Sequence, residues 1–145
     1  MLQLHDCYEV AQYAEKQDLK VGMQVSRIRP HEADWIVRSF PLSFISVTVN
    51  SYLTSAEHEA VNILSEGDFF VEVKVIYIPQ KTKIGTFLTG LKYDSLVVQQ
   101  FQPGECLDPE YNKIPQPNRD EVMEYAKSIG ADYVITKEKG REKVI

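Results

Sequence analysis

The stretch Asp68–Pro79, DFFVEVKVIYIP, constrains the fold more than any other part of the chain. Phe69, Val71, Val73, Val75 and Tyr77 share one face of an extended segment, because strand side chains alternate in direction. Phe70, Glu72, Lys74, Ile76 and Ile78 share the other. β-branched and aromatic side chains suit a pleated surface, so a strand is predicted here. At ~3.3 Å per residue it would reach ~40 Å, longer than most strands. Phe70, Ile76 and Ile78 should not face water as a group. A second chain is expected to cover them. The pattern therefore favours a homo-oligomer or a partner protein, contacting Phe70, Ile76, Ile78, Lys81 and Lys83.

The polar stretch Pro79–Gly85 reads as a turn, and 86–92 and 95–101 read as returning strands. Together they predict a long antiparallel hairpin over about 68–101. Three helices carry a capping signature, a short polar residue followed three positions later by Glu: Asp6–Glu9, Thr54–Glu57 and Asn118–Glu121. A further short helix is predicted from Pro30, with Ala33, Ile36, Val37 and Phe40 at helical spacing and Pro41 as its stop. Alternating segments at 21–28, 43–52 and 132–136 supply further strands. Gly67 and Gly130 end the helices that precede Asp68 and Asp132. Residues 102–117 form a Pro-rich loop, and 137–145 a short charged tail in solvent. The expected fold class is α+β, a single domain over 1–145. Its sheet is mixed or mainly antiparallel, built on the long central hairpin, with about four helices packed on it.

A chain of 145 residues can bury one core without disulfides or metals. Its 43% hydrophobic and 26% charged content argues against disorder. A formal net charge of −5 disfavours broad nucleic-acid binding, which needs a positive surface. No apolar run approaches the ~20 residues that cross a bilayer. No leader pattern opens the chain, so a cytoplasmic location is expected. Cys7 and Cys106 have no metal-ligand spacing, and no metal or cofactor is expected. Cys7 falls on the apolar side of its helix, which favours a buried thiol over a nucleophile paired with His5 or His31. Cys106 falls on the long loop. Whether the two pair is open. No P-loop, HExxH, CxxC or EF-hand loop is present.

Two groups could carry chemistry. Arg27 and Arg29 share a strand face, and His31 and Trp35 share a side of the helix that follows. Guanidinium groups at a helix entrance suit a phosphorylated small ligand, and an indole gives a stacking surface. Glu72-Val73-Lys74 resembles the ExK half of PD-(D/E)xK nucleases. That resemblance implies a carboxylate and a lysine at a divalent metal, and needs a further acid from a neighbouring strand. The preceding strand offers Asn50 instead. Tyr125–Thr136, YAKSIGADYVIT, resembles a helix–strand segment of zinc-type alcohol dehydrogenases and quinone oxidoreductases. The chain has no GxGxxG, so this resemblance implies packing only, with no cofactor site. The first functional expectation is a non-catalytic binding protein, for a partner protein or a phosphorylated small ligand. A metal-dependent nuclease using Glu72 and Lys74, and a structural oligomeric subunit, are the alternatives.

Overall fold

A computed structural model describes residues 4–49, 53–82, 85–104 and 106–144. The elements run α1 (Leu4–Lys16), β1 (Gly22–Ser26), α2 (Pro30–Ser39), β2 (Phe44–Val49), α3 (Ser55–Leu64) and β3 (Phe70–Tyr77). There follow a 3-10 turn (Gly85–Leu88), β4 (Ser95–Gln100), a second 3-10 turn (Pro109–Lys113), α4 (Arg119–Ser128), β5 (Tyr133–Thr136) and β6 (Gly140–Lys143). The six strands form one sheet in chain order, β1-β2-β3-β4-β5-β6.

Backbone bonds at the strand starts fix the directions. The Ser43 N–H donates to Val21 O, and the Phe70 N–H to Ser43 O. The Asp94 N–H donates to Val71 O, and the Asp132 N–H to Leu96 O. Each bond joins the start of one strand to the start of the strand before it. β1 to β5 therefore run the same way. β5 and β6 are antiparallel, with Thr136 opposite Gly140 and Tyr133 opposite Lys143.

This corrects the expected α+β class and the long central hairpin. The molecule is α/β, a mostly parallel sheet with four helices among the described residues. A hairpin would set the start of β4 beside the end of β3. Instead, Asp94 sits at the start of β3. The 78–94 connection is long enough to return the chain to that end, as a parallel crossover requires. Part of its second half winds into a 3-10 turn rather than the predicted strand.

The local signals account for most of the elements. Thr54 Oγ1 accepts from the Glu57 N–H at 3.1 Å. Asn118 Oδ1 accepts from the Glu121 N–H at 2.9 Å, and the Glu121 carboxylate accepts from the Asn118 N–H at 3.2 Å. Pro30 opens α2, where Glu32 accepts from the Arg29 N–H at 3.1 Å. Gly130 takes φ +71°, a left-handed turn out of α4 that a side chain would strain.

The chain divides into two compact units, 1–47 with 54–72 and 91–94, and 48–53 with 73–90 and 95–145. In the first, α2 packs on α3, and Ala33, Ile36, Ala60, Val61 and Leu64 of these helices are buried, as are Ile45, Val47 and Val71 of the strands. In the second, α4 packs on β4 and β5 through Val122, Met123 and Ala126, over Leu96, Val98 and Val134. One device recurs in both. Asp94 Oδ2 accepts from the Val71 N–H at 2.8 Å, and Asp132 Oδ2 accepts from the Leu96 N–H at 2.9 Å. Each aspartate thus clamps the previous strand's start with its side chain and its own N–H. No described helix is long and apolar enough to cross a membrane.

The charged tail is corrected too. Residues 140–143 pair with β5 through a three-residue loop, and Gly140 takes φ +66° to close it. Arg119 of α4 holds β6 with two bonds to Glu142, at 2.8 and 2.7 Å. The hydrogen bond from Arg119 keeps the Glu142 carboxyl below its ordinary range. A carboxyl depressed by folding adds stability above its unfolded pKa, and that is lost as pH falls through the folded pKa. Hydrogen-exchange protection of β6 should therefore fall on acidification. In Glu142→Gln it should be low at neutral pH and flat across the same acid window. Equal acid sensitivity in the variant would show that this pair does not hold β6.

Candidate functional site

Open parallel sheets place their ligand sites at the carboxyl ends of the strands, where the loops gather. Four such ends are described. β1 leads into Arg27, which takes φ +53°, and then into the start of α2. A cleft of about 150 Å³ lies there, lined by Val25, Ser26, Arg27, Ile28, Arg29, Glu32 and Ile36. Arg29 Nε lies 3.6 Å from Glu32 Oε1, so one guanidinium is already partly neutralised. The 150 Å³ is room for one small anionic group rather than a whole nucleotide.

The sheet face of the first unit carries an ion-capable group in its interior. Ile45 and Val47 of β2, and Val71 of β3, are buried in the same unit as α2 and α3. Ser46 and Glu72 point the other way by alternation. They meet: Ser46 Oγ donates to Glu72 Oε2 at 2.8 Å. Glu72 is 2% exposed and Ser46 1%. Phe44 and Phe70 stack beside them on that face, with ring centroids 6.0 Å apart. A carboxylate so enclosed is held in one position, as a group that must orient a reactant would need to be.

In the second unit, Gln100 at the carboxyl end of β4 is 1% exposed. Its Nε2 donates to Pro117 O at 2.7 Å, and its Oε1 accepts from the Lys137 N–H at 2.8 Å. It ties the loop before α4 to the turn after β5. The 102–117 loop is organised by Asn112, whose Oδ1 accepts from the Gly104 and Cys106 N–H groups, both at 3.1 Å. Leu107 stands fully exposed on it. Beside α4, Tyr77 and Tyr125 stack with centroids 4.8 Å apart. They line an open groove of about 570 Å³ with Asp120, Glu121 and Glu124. Burial, and then Tyr77, push the Tyr125 hydroxyl up to about 12.

The residues singled out from sequence fall in several places. Arg27 and Arg29 come together at the β1 cleft. His31 is exposed and does not line that cleft. Trp35 packs instead with Tyr8 of α1 and with Phe40, at 5.5 and 5.3 Å. Ile76 and Ile78 are half-buried, and Phe70 is 45% exposed on Phe44. Lys81 is exposed, its ammonium 5.9 Å from the Tyr111 ring centre. Lys83 and the His5 side chain lie outside the described residues. Both cysteines are free and half-buried. Ser46 and Gln100 were not anticipated. Ser46 lies between Ile45 and Val47, which is the available signal for a polar group enclosed in a two-sided strand, whereas Gln100, between Gln99 and Phe101, carries no such signal.

No family model matches the chain. It is 19% identical over 146 residues to a protein of Methanocaldococcus jannaschii named a glycyl-radical enzyme activating enzyme. The match takes in 87% of this chain and 61% of the relative, so the chain spans about three-fifths of that protein's length. A relative with an enzyme's name overturns the expectation of a non-catalytic binding protein, and with it the structural subunit. The nuclease reading falls as well. Glu72 is enclosed and bonded to Ser46, and no group of three or more His, Cys, Asp or Glu among the described residues could hold a metal.

Proposed function

We propose that these residues form part of an enzyme that activates a glycyl-radical enzyme, with the redox centre held by residues other than these. The observation that carries this reading is the alignment over 87% of the chain. The run of parallel strands in chain order fits it, since barrel and open α/β enzymes gather their chemistry at strand carboxyl ends.

Making a glycyl radical removes a hydrogen atom from a glycine Cα of the target protein. Radical chemistry of this kind runs through cofactors such as iron–sulfur centres and S-adenosylmethionine. An iron–sulfur centre is held mainly by cysteine thiolates, commonly four. This sequence has two cysteines, Cys7 and Cys106, so its donor set does not fit such a centre. No step through one is assigned to these residues. What they supply is shape and charge. The Ser46–Glu72 pair fixes a carboxylate on the face opposite Ile45, Val47 and Val71, and Arg27 and Arg29 offer guanidiniums to an anionic group of the bound segment.

The test is genetic and spectroscopic. Deleting the gene in its host should abolish the glycyl-radical resonance of anaerobic extracts, and the wild-type chain should restore it. A resonance of unchanged size after deletion would end this reading.

A further inference from the structure

Tyr77 is the last residue of β3, and Gln100 at the end of β4 holds Pro117 just ahead of α4. The groove that Tyr77 and Tyr125 line with the first turns of α4 therefore opens at the carboxyl ends of these two strands, the side where parallel sheets gather their ligands. Asp120, Glu121 and Glu124 border it, and among the described residues no lysine or arginine lines it. Two of these acids serve the helix. Glu121 accepts from the Asn118 N–H at 3.2 Å, and Asp120 lies 3.6 Å from Arg119. Both stand in the first turn of α4, where the helix dipole favours an acid. Glu124 stands one turn further on. It is exposed and makes no hydrogen bond or ion pair with a described residue. The rings beside it are already fixed, half-buried and stacked with 12° between their planes, so a ligand need not order them.

We infer that this groove is the docking site for an arginine presented by a segment of a partner protein. The guanidinium lies along a tyrosine ring and pairs with the Glu124 carboxylate through two parallel N–H donors. The chain already uses the first of these contacts internally, where the Arg141 guanidinium sits over the Tyr133 ring at 4.5 Å. A lysine ammonium is compact and strongly hydrated, so it gains less from the rings and cannot form the fork. An acidic segment is repelled by the three carboxylates. An apolar one would cover Glu124 and leave its charge without a partner. The groove, about 570 Å³, is larger than one arginine side chain, so residues on either side of the arginine lie in it as well. That favours a protein segment over a free guanidinium compound. The inference goes beyond the proposed function and does not rest on it.

Titration of the protein with a capped Ala-Ala-Arg-Ala-Ala peptide, followed by NMR, tests the inference. The amide signals of Asp120, Glu121, Glu124 and Tyr125 should shift and saturate. The δ protons of the peptide arginine should move upfield, because they lie over a tyrosine ring. The same peptide with citrulline keeps the shape and loses the charge, and should bind about tenfold more weakly. A chain of net charge −5 attracts cations in general, so Glu124→Gln is the deciding variant. It changes an exposed side chain, and should weaken the arginine peptide about tenfold while leaving the citrulline peptide as it was. The absence of any saturable shift would overturn the inference. So would equal affinity for the two peptides, equal affinity of Glu124→Gln and the wild type, or unmoved δ protons. A capped single arginine that binds as tightly as the pentapeptide would overturn the protein segment as occupant.

Discussion

Gln100→Leu should cost about 1.5–4 kcal/mol of folding stability, because it strands one buried backbone carbonyl and removes a second, part-buried bond. The leucine fills nearly the same space, so the loss is polar rather than a cavity. Pro117 O loses its 2.7 Å donor and the Lys137 N–H loses its 2.8 Å acceptor. The orphaned Pro117 carbonyl costs roughly 1–3 kcal/mol, and the lost bond at the more exposed Lys137 about 0.5–1.5. A domain of this size is stable by only about 5–15 kcal/mol, so the loss is a sizeable fraction of the whole. Urea denaturation measures the loss, and hydrogen exchange at the Lys137 amide locates it. Gln100→Glu keeps the acceptor for Lys137 but sets a carboxylate against the Pro117 carbonyl, so it should recover little. A change below about 0.5 kcal/mol in Gln100→Leu, the ordinary scale of surface substitutions, would show that water replaces both bonds.

Element positions were readable where the chemistry is local. Thr54 and Asn118 cap their helices through bonds that span three residues, and a three-residue spacing is visible in a sequence. Pro30 and Gly130 act through their own backbone angles. Strand direction is not local in this sense. It depends on where the 78–94 connection takes the chain, and a polar turn at Pro79–Gly85 suits either outcome. One sign of the parallel arrangement was present. Ser95, Leu96, Val97 and Val98 are buried in succession, which is how a strand covered on both faces reads. Alternation draws attention to β3 instead, and the enclosure of Glu72 is not visible there because carboxylates are seldom buried. β6 was hidden for a similar reason. Its residues are charged, as suits an edge, and only Gly140 marks the loop that folds it back.

The candidate site was readable in part. Two arginines two residues apart before a helix are a visible anion signal, and the structure brings both to one cleft. Trp35 lies on the helix that follows them, yet its ring is claimed by Tyr8 and Phe40. Helical spacing gives the side of a helix but not what packs against it. Ser46 and Glu72 are separated by 26 positions, and only the parallel register sets them side by side.

The Ser46–Glu72 pair separates a structural from a functional reading of the sheet face. Glu72→Ala removes a buried side chain and orphans the Ser46 hydroxyl. Cavity formation costs about 2–5 kcal/mol for side chains of this size, and the orphaned hydroxyl about 1–3 more. A loss of roughly 3–8 kcal/mol is expected, enough to unfold much of the protein, so this variant reports on folding alone. Glu72→Gln is the informative change. It keeps the volume and can still accept from Ser46 Oγ, while replacing the carboxyl group by an amide. Its stability should fall by no more than about 1–2 kcal/mol, within the range of one hydrogen bond to a charged group. If the carboxylate orients a reactant, Glu72→Gln should fold and yet fail to restore the glycyl-radical resonance in the deletion host. Full restoration would assign the pair to the architecture of β2 and β3, and would leave the β1 cleft with Arg27 and Arg29 as the site to pursue. Ser46→Ala supplies the other corner of a double-mutant cycle. Coupling near zero between the two positions would mean that the 2.8 Å bond contributes nothing to either role.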